Sequence, residues 1–317
     1  MTLLRSFADR RVLLVALIVV TVLGMAVLVP GALRPGVLLN MSKFGVVVGI
    51  LAIGQTIVVL TGRGNIDLSV GSALSLCGII MALLATGGMN VWLAALLAVV
   101  AGAGLGAING LLVTIIGVPA LIGTIGTLFL YGSAALVLSG GTAMGGFVTE
   151  GFSVISHGLI AGAPFQLVAV MLPLYLIIGL ALATTRWGRS VYEVGNNDRA
   201  ATLVGLSPVG VRMSAFILSG SLAGLGSVVM TAWLLTSRPE AGAGLELMAL
   251  VVAVFGGTHI FGGRGTMSGT FLAVILVTLL NTGMQMAGIE QTWQRGVLGA
   301  LLVGAVLANN FLGQRNA

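Results

Sequence analysis

Long apolar runs without charged residues dominate the chain and set the first expectation about its fold. A helix that spans a membrane needs about 20 predominantly apolar residues. Runs of that kind lie at 12–33, 44–62, 166–185, 213–237, 265–289 and 296–314, with a shorter one at 247–263. The stretch 68–149 has no Asp, Glu, Lys or Arg and is long enough for three spans, divided at Gly87-Gly88 and Gly117-Val118-Pro119. The pattern predicts an all-α, polytopic membrane helix bundle of about ten spans.

Composition supports a single integral membrane domain over 1–317. Hydrophobic residues make up 58% of the chain and charged residues 7%, whereas a soluble domain carries about 25% charged residues. The Lys and Arg residues behind the net charge of +6 are scattered, so nucleic-acid binding is not expected. Cys77 is the only cysteine and lies in an apolar run, and with only His157 and His259 besides, no metal centre is expected.

The N-terminal run follows Arg5, Arg10 and Arg11 and could be a signal peptide. Its length over 12–29 and the absence of a clear small-x-small cleavage site favour a retained first transmembrane helix. Ten alternating spans that start inside leave ten basic residues on the cytoplasmic side and four on the other, in agreement with the positive-inside rule. We therefore expect cytoplasmic N- and C-termini, a cytoplasmic segment at 186–212, and an outer loop at 139–165.

The segment 186–212 is a polar island that holds six of the 22 charged residues (14 Lys and Arg, 8 Asp and Glu). Within it, Asn196, Asn197 and Asp198 offer N-cap side chains, and Gly205 and Pro208 stop a helix. The apolar face of this short helix would consist of Ala200, Ala201, Leu203 and Val204. This short helix either lies on the lipid headgroups or is a docking element for a cytoplasmic partner. Its location and its cluster of charged residues favour docking to a partner.

Two glycine-rich segments, 61–72 and 256–270, each follow one apolar run and lead into the next. Neither contains the Lys-Ser/Thr pair of a nucleotide-binding P-loop, so we expect no nucleotide site. Arg63 and Asp67 would pair if the backbone between them were helical, and Asp67 could cap the span that begins near Leu68. Arg264, in its tight glycine turn, is expected to make a structural or headgroup contact.

Glycines also recur inside the spans at small-residue spacings, which allow close approach of helix backbones in lipid. They are Gly102, Gly104 and Gly106, followed by Gly220, Gly224 and Gly226. Membrane-embedded acids, typical of ion-coupled carriers, are missing from 68–149 and 213–237. Nothing in the spacing pairs a nucleophile with a base, so an intramembrane enzyme is not favoured.

These motifs together resemble the permease subunits of bacterial ATP-binding-cassette (ABC) importers for simple sugars, the ribose-type branch that also includes autoinducer-2 and rhamnose permeases. The matching segments are GNIDLSVGS at 64–72, GTLFLYGSAALVLSG at 126–140, GNNDRAATLVGL at 195–206, GGTHIFGGRGTMSGT at 256–270 and LNTGMQMAGI at 280–289. They follow one another in the same order over about 45–305.

The resemblance implies a permease in the bacterial inner membrane, surrounded by lipid, that is not itself an enzyme. ATP and Mg would bind to a separate cytoplasmic ATPase, a periplasmic sugar-binding protein would deliver the substrate, and the permease would pair with a second copy, identical or similar. The coupling helix that seats in the ATPase would comprise Gly195, Asn196, Asn197, Asp198, Arg199, Ala200, Ala201, Leu203, Val204 and Gly205.

A path for a neutral polyol should be lined by small, hydroxyl, amide and aromatic groups. The candidates within or near the spans are Gln55, Asn109, Thr124, Thr127, Tyr131, Ser219 and Asn281. Structural or gating turns are expected at Gly62, Arg63, Gly64 and Asp67, and at Gly262, Gly263, Arg264 and Gly265. The alternative is a stand-alone secondary carrier or facilitator, which would move its solute without an ATPase.

Overall fold

The computed structural model describes residues 7–290 and, beyond them, 292–294, 296–297, 299–300 and 303–304. Most of the predicted tenth span, 296–314, and both chain ends lie outside these residues. The helices are α1 Phe7–Leu28, α2 Pro35–Leu60, α3 Val70–Thr86, α4 Val91–Thr114, α5 Ala120–Ser139, α6 Glu150–His157, α7 Leu172–Thr184, α8 Arg186–Asn196, α9 Asp198–Leu203, α10 Pro208–Leu234, α11 Leu245–Phe255 and α12 Met267–Met286. A π-helical turn, Gln166–Met171, precedes α7.

The predicted helical membrane bundle is confirmed. In the described part of the chain, seven helical segments are long and apolar enough to cross a membrane: α1, α2, α4, α5, the π turn with α7, α10 and α12. The shorter apolar helices α3 and α11 complete the series. The strands are two residues each: β1 Met144–Gly145 pairs with β4 Thr236–Ser237, and β2 Leu159–Ile160 pairs with β3 Ala163–Pro164, both antiparallel.

Several helix boundaries differ from the expectation. Helix α2 begins at Pro35 rather than near 44, because proline fits the first turn of a helix, where its missing N–H is not needed. Helix α10 begins at Pro208 for the same reason, so Arg212 belongs to the helix and not to the polar loop. Helix α11 comprises Leu245–Phe255, so it begins two residues before the span expected at 247–263 and ends eight residues before the end of that span.

Helix α2 forms the centre of the bundle. It is buried continuously from Gly45 to Leu60, with α10, α11 and α12 packed around it. Hydroxyl bonds connect it to its neighbours: Tyr175 of α7 donates to the Gly49 carbonyl at 3.1 Å, and the hydroxyls of Thr56 and Thr270 lie 3.0 Å apart. Helices α1, α5 and α7 lie at the periphery and present most of their side chains outward.

Helices α4 and α10 cross at a contact of backbone against backbone. A β-carbon at Gly102 would overlap the Gly220 carbonyl oxygen, and one at Gly106 would overlap that of Phe216. One at Gly224 would lie 2.7 Å from the Ala98 carbonyl oxygen. Four of the six glycines predicted to allow close packing therefore do so at this crossing: Gly102, Gly106, Gly220 and Gly224. Gly104 has open space around its β-carbon position, and Gly226 faces the side chains of Leu74 and Leu51 instead.

Two non-helical segments reach the middle of the bundle. One is the loop 61–69: Asp67 binds Ser219, which lies near the midpoint of α10. The other is 235–244, between α10 and α11, whose Gly242 amide donates to Ser75 Oγ of α3 at 2.9 Å. This second segment contacts the first turn of α3, where a β-carbon at Gly242 would overlap the Gly71 carbonyl oxygen. Irregular backbone at membrane depth is tolerated only where it is buried in protein or lines a water-filled cavity.

The α4–α10 crossing predicts opposite effects for two neighbouring substitutions. Gly102→Ala should destabilise the purified protein by about 1–3 kcal/mol, as expected for overpacking. Gly104→Ala should be neutral or stabilising by up to about 1 kcal/mol, because alanine is the better helix former. Thermal unfolding in one detergent measures the stability of both variants. Equal unfolding temperatures for the two variants would contradict the close backbone packing of α4 against α10 at Gly102.

Candidate functional site

Three segments distant in sequence meet at one end of the bundle, which we name the α9 end. Their contact, the glycine junction, consists of Gly62, Gly195, Gly262 and Gly263. A β-carbon at Gly195 would overlap the Leu60 carbonyl oxygen and lie 2.6 Å from the Gly263 nitrogen. The Gly263 amide donates to that same Leu60 oxygen at 3.0 Å. Gly62, Gly262 and Gly263 have positive φ angles of 80°, 93° and 72°, which glycine adopts without steric cost.

An ionic cluster fastens the polar island to the first glycine-rich turn. Asp198 pairs with Arg63, Nε to Oδ2 at 2.6 Å, and with Arg212, whose two Nη atoms donate to its two carboxylate oxygens. Arg212 also donates through Nε and Nη2 to the Thr61 carbonyl, at 3.3 and 3.1 Å. Arg212 is 5% exposed. Because its charge is buried, Asp198 is the counterion that makes this position tolerable.

The expected pair of Arg63 with Asp67 does not form. The backbone between them is not helical, which removes the condition for that pair, and Arg63 has a positive φ of 58°. Arg63 turns to Asp198, while Asp67 is buried among neutral donors. Asp67 Oδ1 accepts from the amide of Ser69, the residue before α3, at 3.1 Å.

Helix α9 begins and ends at the signals predicted from the sequence. Asn197 is the N-cap, and its Oδ1 accepts from the amides of Arg199 and Ala200 at 3.0 and 3.1 Å. Gly205 follows the helix with a φ of 83°. Ala201 packs against the bundle, whereas Leu203 is 88% exposed and Val204 72% exposed. The apolar face predicted for this helix is therefore divided, and its large side chains point away from the protein.

Helix α8 was missed in the sequence, where 186–196 was taken as polar loop. Thr185 caps it by accepting from the Gly188 amide at 3.0 Å, and Gly188, Val191 and Val194 form its buried face at i, i+3 and i+6. That spacing is the signal that could have identified it. Tyr192 donates to the Gly265 carbonyl at 3.0 Å, and burial raises the pKa of its phenol, so the donor stays protonated.

The remaining predicted turn residues differ in their surroundings. Gly64 has a φ of 67° and open space at its β-carbon position. Gly265 packs against Thr258 and Leu60. The Arg264 carbonyl accepts from the His259 amide at 2.7 Å, and its side chain is exposed at the α9 end.

A buried polar network surrounds Asp67 at the centre of the bundle. Asp67 accepts from Ser69 Oγ at 2.7 Å, Ser219 Oγ at 3.0 Å and Asn109 Nδ2 at 3.4 Å. Thr127 donates to Asn109 Oδ1 at 2.7 Å. The network joins the N-cap of α3 to α4, α5 and α10, and it gives the buried Asp67 carboxyl group the hydrogen-bond partners that a buried polar group requires.

All seven residues predicted for the substrate path are buried inside the protomer. Asn109, Thr127 and Ser219 belong to the Asp67 network, Thr124 donates to the Ile66 carbonyl at 3.1 Å, and Tyr131 donates to that of Leu105 at 3.0 Å. Asn281 accepts from Gln285. Gln55 is 0% exposed, and neither its Oε1 nor its Nε2 has a hydrogen-bond partner within the described residues. Their part in transport stays a prediction.

Comparison with known proteins agrees with this architecture. Residues 37–306 match the family described as the permease component of branched-chain amino acid transport systems. The geometry and this match define a polytopic transport permease. The chain belongs to the family of permease components that this match describes.

The similar curated proteins cover nearly the whole chain. It is 35% identical over 295 residues to the autoinducer 2 import system permease LsrD of Klebsiella pneumoniae, covering 90% of this chain and 88% of that protein. It is 33% identical over 289 residues to the ribose import permease RbsC of Bacillus subtilis, covering 91% and 89%. A probable ABC transporter permease of Sinorhizobium fredii is 33% identical over 294 residues, covering 93% and 87%. No solved structure matches. The resemblance to the ribose-type permeases is confirmed.

The ionic cluster predicts unequal roles for its two arginine pairs. Asp198→Ala should cost about 3–5 kcal/mol, because it leaves the buried Arg212 without a counterion. Arg63→Gln should cost about 0–1 kcal/mol, because the Arg63 side chain is 70% exposed and solvent screens the pair. Thermal unfolding of the purified variants distinguishes the two, and a loss for Arg63→Gln as large as that for Asp198→Ala would contradict the assignment.

Proposed function

We propose that this chain is the membrane-spanning permease subunit of an ATP-driven ABC importer for a monosaccharide or a sugar-like small molecule. The observation that carries the coupling role is α9, a capped helix with exposed apolar side chains, fastened to the bundle by Asp198 and the glycine junction. The relatives' import systems for ribose and autoinducer 2 support the substrate class. Nothing in the comparisons favours a stand-alone carrier.

The α9 end would face the cytoplasm of a bacterial cell, with the protein in the inner membrane and both termini inside. Arg63, Arg186, Arg189, Arg199 and Arg264 are exposed at this end, and basic residues collect on the cytoplasmic side of membrane proteins. The loop 140–165, which carries α6 and the paired strands β2 and β3, would then face outward, where a sugar-binding protein would dock.

Leu203 and Val204 would enter a hydrophobic groove of a cytoplasmic ATPase, the subunit that binds ATP and Mg. Two adjacent apolar side chains this exposed on a helix tip at an aqueous surface indicate an interaction site. Movement of the ATPase would pass through Asp198 to Arg63 and Arg212, and through the glycine junction to α2 and α11. A second permease copy, identical or similar, would complete the translocation path.

This coupling role predicts that Leu203→Asp with Val204→Asp abolishes ATP-dependent uptake and reduces ATPase co-purification at least tenfold. The permease itself should keep its unfolding temperature, because neither side chain packs in the protomer. Val154→Asp on α6 is the matched control for ATPase co-purification, since Val154 is also exposed, at 47%, but lies in the opposite loop. Wild-type uptake by the double variant would contradict the proposal.

The importer and the stand-alone carrier differ in what the purified chain does alone. In proteoliposomes, we expect no solute movement by the permease without its ATPase, and ATP-dependent uptake when the ATPase and the binding protein are added. Rapid equilibration of a monosaccharide by the permease alone would establish the carrier instead.

A further inference from the structure

A small cavity with both polar and apolar lining residues lies among α3, α5, the segment 235–244 and the start of α11. Its volume is about 270 Å³, and its lining includes Ser72, Ser75, Ser133, Glu240, Glu246 and Phe129. Phe129 and Ser133 are exposed on the α5 face that the rest of the protomer leaves uncovered, and Phe129 is 68% exposed. The cavity therefore opens at the surface of the protomer and not into its interior.

At this depth in a membrane, the acidic lining of the cavity requires contact with protein or with water. Ser72 and Ser75 lie in the first two turns of α3, level with the middle of α10, as the neighbouring contact of Leu74 with Gly226 shows. Glu240 is exposed on the non-helical segment, and Glu246 lies in the first turn of α11 with both carboxylate oxygens 3.1 Å from the Gly244 amide. Acidic side chains and irregular backbone at this depth occur where they face protein or a water-filled cavity.

The start of α11 gives the cavity a feature common to solute sites in transporters. Helix α11 has 11 residues and begins inside the bundle after the non-helical segment 235–244. Discontinuous helices of this kind place their ends at the solute site near the midplane. Gly244 and Glu246, the residues around the first turn of α11, both line the cavity.

The larger cavity of the protein lacks this chemistry. It measures about 660 Å³ and lies between α7 and α12, where its lining is aliphatic and aromatic apart from Tyr192, Thr266 and Ser268 at one end. Tyr192 already donates its hydroxyl proton to Gly265. A polyhydroxylated solute needs several convergent polar groups, which that groove does not supply.

We propose that the cavity at Ser133, Glu240 and Phe129 is a contact site for a neutral polyhydroxylated solute during translocation. Carboxylate oxygens of Glu240 and Glu246 would accept hydrogen bonds from solute hydroxyls, and the three serines would donate or accept. The Phe129 ring would cover the apolar C–H face of the solute. The volume suits one monosaccharide and excludes a larger oligosaccharide. This assignment rests on the proposed importer function and specifies its substrate-contacting surface.

Water access to the cavity can be measured without transport. In the full permease, Ser133→Cys should react with a water-soluble methanethiosulfonate reagent at least tenfold faster than Leu130→Cys. Leu130 lies on the outward face of the same helix, is 62% exposed and does not line the cavity. The native thiol of Cys77 is buried and gives little background. Equal rates for the two variants would overturn the aqueous cavity.

Uptake tests the solute contact itself. A set of monosaccharides, beginning with D-ribose, is offered to the complex of permease, ATPase and binding protein until one is imported with ATP. At saturating binding protein, Glu240→Gln and Phe129→Ala should each lower the maximal uptake of that sugar at least tenfold, and Phe129→Tyr should recover uptake relative to Phe129→Ala. Glu290→Gln, at an exposed acid after α12 that does not line the cavity, is the matched control.

The outcomes separate the two proposals. If the wild-type complex imports no monosaccharide with ATP, the proposed function fails. If it imports one and both cavity variants match it while the amount of co-purified ATPase is unchanged, the importer stands and the solute site is wrong. A tenfold loss in the cavity variants with normal assembly supports both.

Discussion

Close approach of backbone to backbone is the constraint on which this bundle depends. In lipid, helices are not driven together by the hydrophobic effect, so van der Waals contact over short distances has to hold them. The α4–α10 crossing, the Gly71–Gly242 contact and the glycine junction each bring main-chain atoms to positions that a single β-carbon would fill. The 49 glycines of the chain therefore include several whose lack of a side chain is a packing requirement. The glycine junction adds positive φ angles to this requirement, which few other residues meet.

The same close packing allows polar groups to sit deep in an apolar protein. The loop 61–69 brings Asp67 to the level of mid-α10, where Ser69, Ser219 and Asn109 satisfy it. The segment 235–244 approaches from the other end and meets α3 at Gly71. Together, the loop 61–69 and the segment 235–244 place non-helical backbone at the centre of a bundle that otherwise consists of helices. The buried network belongs to the protomer interior, whereas Glu240 and Ser133 lie at its open face.

Local signals account for what the sequence could predict. Apolar runs identified the spans because each helix has to match the bilayer on its own, and Asn197 and Gly205 marked α9 because caps act within one turn. Pairings between distant residues had no such signal: Asp67 and Arg63 are neighbours in sequence, but Asp198 takes the arginine. Helix α8 was hidden because only three of its 11 residues, Gly188, Val191 and Val194, are buried. The seven path residues were predicted because they are polar residues within or near spans. A buried hydrogen-bond network and a solute path both use such residues, so polarity alone does not distinguish the two. Glu240 and Glu246 fell outside that search because both precede the apolar run that begins at Leu247, whereas α11 begins at Leu245.

Helix α10 has a mechanical property that follows from its length alone. Its 27 residues form a rod of about 40 Å, continuous from the residue after Ser207 to Leu234. Arg212 ties its first turns to Asp198, and its last residue leads directly into the strand pair and the segment beside the open cavity. A tilt of about 5° about one end would carry the other end by about 3.5 Å over that length. The rod thus works as a lever arm, which turns a small rotation at one surface of the membrane into a displacement of atomic size at the other.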